Sequence, residues 1–273
     1  MQKEINWVRT ILIMGLAFAF IGAHMIFSFY SLLIVDYNMI TSLLVKKGIF
    51  ESIMGILLLI VIARNTTFKD IKNILSDIKV YIVIIVVLLS LGIGAGIILQ
   101  DTLSGFFQSI FDEISREAER IQSLPVHHQT LFIFGNNSRV AALSGILAFI
   151  PVIGLFLPVF VMTLNGAVIG MAPGIFGIPW WKFVLAILPH GVLELPALVL
   201  ASAVGLNLAV ASIKASLGYL FPPPAFDGRD VFLREIRPGW RSIKLFALII
   251  PMLVAAAIIE VLVSPRIMAL YGL

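Results

Sequence analysis

His190 and Glu194 stand four positions apart in the segment Pro189-His190-Gly191-Val192-Leu193-Glu194, inside an otherwise apolar stretch long enough to cross a bilayer. On a helix the two side chains share one face, about one turn apart. An imidazole and a carboxylate so placed could give two ligands to a metal, handle a proton or bind a polar substrate group. A carboxylate at bilayer depth costs several kcal/mol on insertion scales, so one kept there faces a partner or a wet cavity. Zinc enzymes usually supply three protein ligands, and the chain has no cysteine and no HExxH sequence to complete a set. No Ser, His and acid fall into a triad-like pattern either. The expectation is therefore no catalytic residue, no metal and no cofactor.

Other polar residues in apolar surroundings are Asn136, Asn137, Arg139 and Asn165. Arg139 is the natural counter-charge for Glu194, with Asn165 expected near the same face. Together these residues form either a polar clasp that ties a helix bundle together or a substrate or ion site. Pro189 and Pro196 each remove a backbone donor, freeing the carbonyls of Leu185 and Val192. Below Glu194 the same face carries Ala197, Ala201 and Gly205, a stripe of small residues that admits a close neighbour. Gly166 and Gly170 do the same on the preceding span. These stripes predict packing between the two spans, and would also allow a homodimer. His24 reads as a satisfied intramembrane histidine, and His127-His128 as a solvated loop pair.

The elements that must position these groups are transmembrane helices. The chain is 60% hydrophobic and only 12% charged, with a mean hydropathy of +1.07, where an ordinary soluble domain is nearer 25% charged. β-Barrel strands would not give such long apolar runs. The net charge of +4 could suggest nucleic acid, but the basic residues gather in short loops beside apolar segments, so no nucleic-acid partner is expected. Met1 to Arg9 is short and basic, and leads into a retained first span at about 10–35, closed by a polar turn at Asp36-Tyr37-Asn38. The second candidate, about 41–63, is the weakest because it contains Lys46, Lys47 and Glu51; Lys47 and Glu51 could pair. Residues 64–79 alternate charge with apolar residues at helical spacing, the mark of a surface helix. The third span covers 80–100.

Residues 101–135 are the longest hydrophilic region. Leu103, Phe106, Phe107, Ile110, Phe111, Ile114, Ala118 and Ile121 recur at three-and-four spacing, predicting an amphipathic helix over 103–121. From Val140 to Trp181 no residue is charged, and a single helix of that length would measure roughly 63 Å, about twice the hydrocarbon thickness. The run must fold back near Pro151, Gly154 and Pro158. This gives a short fourth span at 139–151, re-entrant or proline-broken, and a fifth at 155–172. The sixth is 180–213, and a basic, proline-rich loop covers 214–244. The seventh is 245–263, interrupted only by Glu260. With the N-terminus cytoplasmic, the basic segments 64–79 and 214–244 fall inside and 101–135 outside. The reading is an all-α, multi-pass bundle of about seven spans in the cell membrane.

Asn136-Asn137 opening one span, Asn165-Gly166 with Gly170 in the next, and Pro189-His190-Gly191 followed by Glu194 and Gly205 form a set. By it the chain resembles the stage II sporulation protein M-like family of integral membrane proteins, a domain of unknown function, over roughly residues 78–265. The resemblance implies a five-span core with its N-terminus inside. Here residues 1–77 add two N-terminal helices and a surface segment, and 78–273 hold the core. In the sporulating member the resemblance implies a scaffold that localises cell-wall hydrolases. A non-enzymatic scaffold or complex subunit is accordingly the leading expectation, with protein partners at 103–121 and 214–244. The alternative is a transporter or flippase-like channel using His190, Glu194 and Asn165 on a proline-interrupted helix. A metal-dependent intramembrane hydrolase is more remote: Pro222–Arg229 is faintly similar to the aspartate motif of such proteases, but the histidine pair is missing.

Overall fold

A computed structural model describes residues 7–33 and 37–271, all helix and short connections, with no strand among them. Asp36 of the expected turn and Met1 to Asn6 of the basic N-terminus lie outside the described residues. The helices are α1 (Trp7–Leu33), α2 (Tyr37–Ala63), α3 (Phe68–Asp77), α4 (Lys79–Gln122), α5 (Val126–Gly145), α6 (Ile153–Phe176), α7 (Trp180–Leu220), α8 (Gly228–Ser242), α9 (Phe246–Leu262) and α10 (Ser264–Leu270). Six stretches, in α1, α4, α5, α6, α7 and α8–α10, are long and apolar enough to cross a membrane. The 27-residue α2 is equally long, but Lys46, Lys47 and Glu51 interrupt its hydropathy. The chain is thus an all-α, polytopic membrane bundle whose exposed apolar side chains, such as Val83, Leu91, Ile98 and Phe160, suit contact with lipid.

The backbone directions follow from the glycines. A Cβ on Gly92 would collide with the Thr163 carbonyl, one on Gly96 with the Ala167 carbonyl, and those on Gly166 and Gly170 with the carbonyls of Leu89 and Ile93. Residue number rises together on both helices, so α4 and α6 run parallel and α5 must return across the bundle between them. The fourth span is accordingly a full one. It begins at Val126, well before the expected 139, and crosses to Phe149. The sequence places residues up to 135 in an external region because this first half carries His127, His128 and Gln129; Asn137, Ser138 and Arg139, next along the helix, point into the protein, where they are buried. The reversal that follows uses a left-handed Val152 (φ 68). Pro158 lies inside α6, not in the turn, and α6 continues through Pro173 to Gly177, whose φ of 64 ends it.

Gly48 and Gly55 bring α2 against Phe132 and Ser138, and Gly135 brings α5 against Glu51. The order again rises on both, so α2 runs parallel to α5 as a full-length neighbour. The expected packing of α6 against α7 is present, but the α6 glycines do not serve it: they close on α4. The Ala197–Ala201–Gly205 stripe of α7 instead closes on α5, where Gly145 faces the Ala201 carbonyl and Gly205 faces that of Ser144. Both small-residue stripes are used within one chain.

Two regions differ from loops. The third span and the amphipathic segment form one helix, α4, about 66 Å along its path. Of the apolar stripe, Phe111 is buried against Met171 and Ala172 and meets the Phe176 ring edge-on at 5.7 Å; Ala118 and Ile121 are half-buried. The other residues of the stripe lie outside the described side chains. His127 and His128 sit in the first turn of α5, not in a loop. In the second region α7 extends to Leu220, and α8 occupies about half of the presumed loop 214–244. It seats Val231, Ile236 and Gly239 on α7 and leaves Arg229, Arg234 and Arg241 exposed.

At this basic end α3 starts with a capping box: Thr67 accepts from the Asp70 amide while Asp70 accepts from that of Thr67. Lys244 donates to Asp70 at 3.0 Å, and Arg241 lies 3.5 Å from Asp77. The Thr67 amide, then Lys244, hold the Asp70 carboxyl down from 3.8 to about 2. A depressed folded value means stabilisation that is present above about pH 4 and lost as pH falls through about 2. Asp70→Asn should cost ~1 kcal/mol at pH 7. Thermal unfolding in detergent should show the difference from the parent vanishing toward pH 2; a constant difference would contradict the assignment.

Candidate functional site

The buried polar side chains form one connected line across three helices. It starts on α2 at Glu51, which is wholly buried, with Arg139 Nε of α5 at 3.4 Å and His24 Nδ1 of α1 at 3.8 Å. The Arg139 guanidinium donates to Asn136 Oδ1 at 2.5 Å, and Asn136 Nδ2 donates to Asn137 Oδ1 at 3.4 Å. The Asn137 amide in turn approaches the Glu194 carboxylate of α7. In both hydrogen bonds the donor lies on the guanidinium side, so the amide dipoles reinforce one another. Helical spacing makes the line possible: Asn136 and Arg139 are three apart on α5, while Asn137 turns toward α7.

The expected Arg139–Glu194 ion pair is therefore corrected. Arg139 pairs with Glu51 and reaches Glu194 only through two amides. Nor do Lys47 and Glu51 form the expected intrahelical pair as their main contact. Lys47 lies 3.9 Å from Glu117 of α4 and 5.1 Å from the centre of the Phe132 ring, a charge and a π face together replacing water. Glu117 thus ties the C-terminal half of α4 to α2. Of the six polar residues singled out, Asn136, Asn137, Arg139, His190 and Glu194 fall on this line or at its end. Asn165 is satisfied within its own helix, donating to the Val161 carbonyl at 2.7 Å.

At the far end of the line α7 meets α9. His190, Glu194 and Glu260 each offer a ligand atom within 4.8 Å of the others, all three residues being half-buried. The proline before His190 and the one after Glu194 leave α7 helical throughout. His190 Nδ1 lies 3.1 Å from Ser264 Oγ, at the start of α10, and that hydroxyl is 3.5 Å from the Ile259 carbonyl. Glu260 was seen in the sequence only as an interruption of the last span. No spacing rule links it to His190, because the packing of α9 against α7 makes the juxtaposition. Among the described residues neither Glu194 nor Glu260 has a cation within ion-pair reach. Two carboxylates this close repel unless a proton or a cation lies between them. The set could bind a cation or pass a proton, and it holds the third ligand that sequence reading did not find.

A helix bundle that buries a continuous line of polar side chains and exposes apolar faces defines a multi-pass integral membrane protein. The family model described as Stage II sporulation protein M matches residues 83–265, and the chain belongs to that family. Comparison with curated proteins and with solved structures found no match. The matched region contains all of α5 to α9, hence Arg139, His190, Glu194 and Glu260; Glu51 and its helix lie before it.

Proposed function

We propose that the chain is a non-enzymatic membrane scaffold or complex subunit of the cell membrane, with its N-terminus and basic end cytoplasmic. The orientation rests on the basic residues of α3 and α8, which gather at one end. The observation that carries the reading is that each end of the bundle has an amphipathic helix seated by its apolar side with its charges outward. At the basic end this is α8, with Arg229, Arg234 and Arg241 exposed. At the other end α4 seats Phe111 and presents Asp112, Arg116 and Glu119. The internal charges, meanwhile, act as ties: Glu51 to Arg139, Lys47 to Glu117 and Asp70 to Lys244.

Purification of the tagged protein in mild detergent should recover a stoichiometric partner, and Arg229→Glu with Arg234→Glu should reduce that recovery at least about tenfold, a loss of ~1.4 kcal/mol or more. Repeated recovery of the chain alone would contradict the reading. The transporter reading has one supporting observation: among the described residues no cation lies within ion-pair reach of Glu194.

A further inference from the structure

The geometry points to a divalent first-row metal site in which His190, Glu194 and Glu260 bind one zinc-class ion and so join α7 to α9. Three features support it together. The ligand atoms come from two helices and converge within 4.8 Å, close enough to surround one ion. Two carboxylates face each other with no side-chain cation among the described residues to neutralise them, and a single divalent ion neutralises both.

The third feature is the imidazole's orientation. Ser264 Oγ lies 3.1 Å from His190 Nδ1 and 3.5 Å from the Ile259 carbonyl, so with its hydrogen on that carbonyl it offers Nδ1 a lone pair. In the proposed site the ring proton therefore lies on Nδ1 and Nε2 keeps a free lone pair for the ion. Ligating histidines are typically fixed in this way through their other nitrogen. Asn137 of α5 approaches the Glu194 carboxylate from the other side of the bundle. One nitrogen and two oxygens suit a borderline ion such as zinc better than magnesium, which prefers all-oxygen ligands and keeps its water. Three protein ligands leave a fourth position for water. This inference concerns ion binding alone and stands independently of the scaffold reading.

The test uses full-length protein in nanodiscs, stripped with chelator and titrated with zinc against a colorimetric competitor. One equivalent should bind, with a hundredfold excess of magnesium not competing. Glu260→Gln and His190→Asn should each abolish that equivalent. Ser264→Ala, which removes no ligand, should weaken binding about 10–100-fold while the protein stays monodisperse. A stripped parent that binds no zinc would overturn the proposal, as would variants that bind as the parent does. The scaffold reading would fail separately, through the absence of a partner.

Discussion

Arg139→Ala is expected to destabilise the folded protein by about 3–5 kcal/mol, the range for breaking one side of a buried ion pair. The cause is what it leaves behind. Glu51 is wholly buried, its carboxylate makes no hydrogen bond, and Arg139 Nε at 3.4 Å is its nearest ion-pair partner. Without the guanidinium that charge has lost its main compensation, and Asn136 Oδ1 loses its donor. Replacing both partners by apolar residues of similar size, Glu51→Leu with Arg139→Met, removes the stranded charge and should recover most of the loss. The comparison needs reversible unfolding in bicelles for the parent, the single variants and the double variant. A single variant within about 1 kcal/mol of the parent would show that water reaches Glu51. Lysine at 139 keeps the charge but not the planar fork, so Arg139→Lys should fall between.

Gly96→Leu should be nearly as damaging, at about 3 kcal/mol, the upper end for overpacking. The obstruction is backbone: a Cβ there meets the Ala167 carbonyl and, at 3.0 Å, the Cα of Gly170. A side chain can rotate away from an intruder, whereas a helix backbone can only retreat, and α4 and α6 would have to part along their length. Gly94 is two residues away on the same helix, with nothing within 4 Å of its Cβ position. Gly94→Leu should leave stability unchanged or slightly raised, since leucine is the better helix former. Equal loss at both positions in the same unfolding assay would mean that close approach is not what those glycines provide.

The contrast between Gly94 and Gly96 also indicates what was legible in the sequence. Hydropathy gave the spans of α1, α4, α6, α7 and α9, because lipid-facing residues dominate each. It caught only the second half of α5, as a short span from 139, because the half from Val126 carries His127, His128, Gln129, Asn136 and Asn137 and reads as polar until its neighbours are known. The small-residue stripes on α6 and α7 were visible as stripes, but composition carries no address. Gly166 and Gly170 close on α4, and Ala201 with Gly205 on α5. The polar residues behaved likewise. His190 and Glu194 share a face by spacing alone, whereas Glu51, Glu260 and Ser264 join them through contacts between helices remote in sequence. Arg139 was matched to the wrong carboxylate for that reason: charge predicts that a buried guanidinium has an acid, not which acid.

The motif that carries His190 and Glu194 is thus one end of a line of polar side chains that begins in the N-terminal helices. It is at this end that the line meets a second carboxylate with no cation beside it. The direct measurement is 15N NMR of histidine-labelled protein in bilayers, where only four histidines contribute and the loss of one signal in His190→Asn identifies that ring. The account predicts a proton on Nδ1, none on Nε2, and a zinc-induced shift of Nε2 that Glu260→Gln abolishes. A proton on Nε2, or a ring that zinc leaves unmoved, would contradict it.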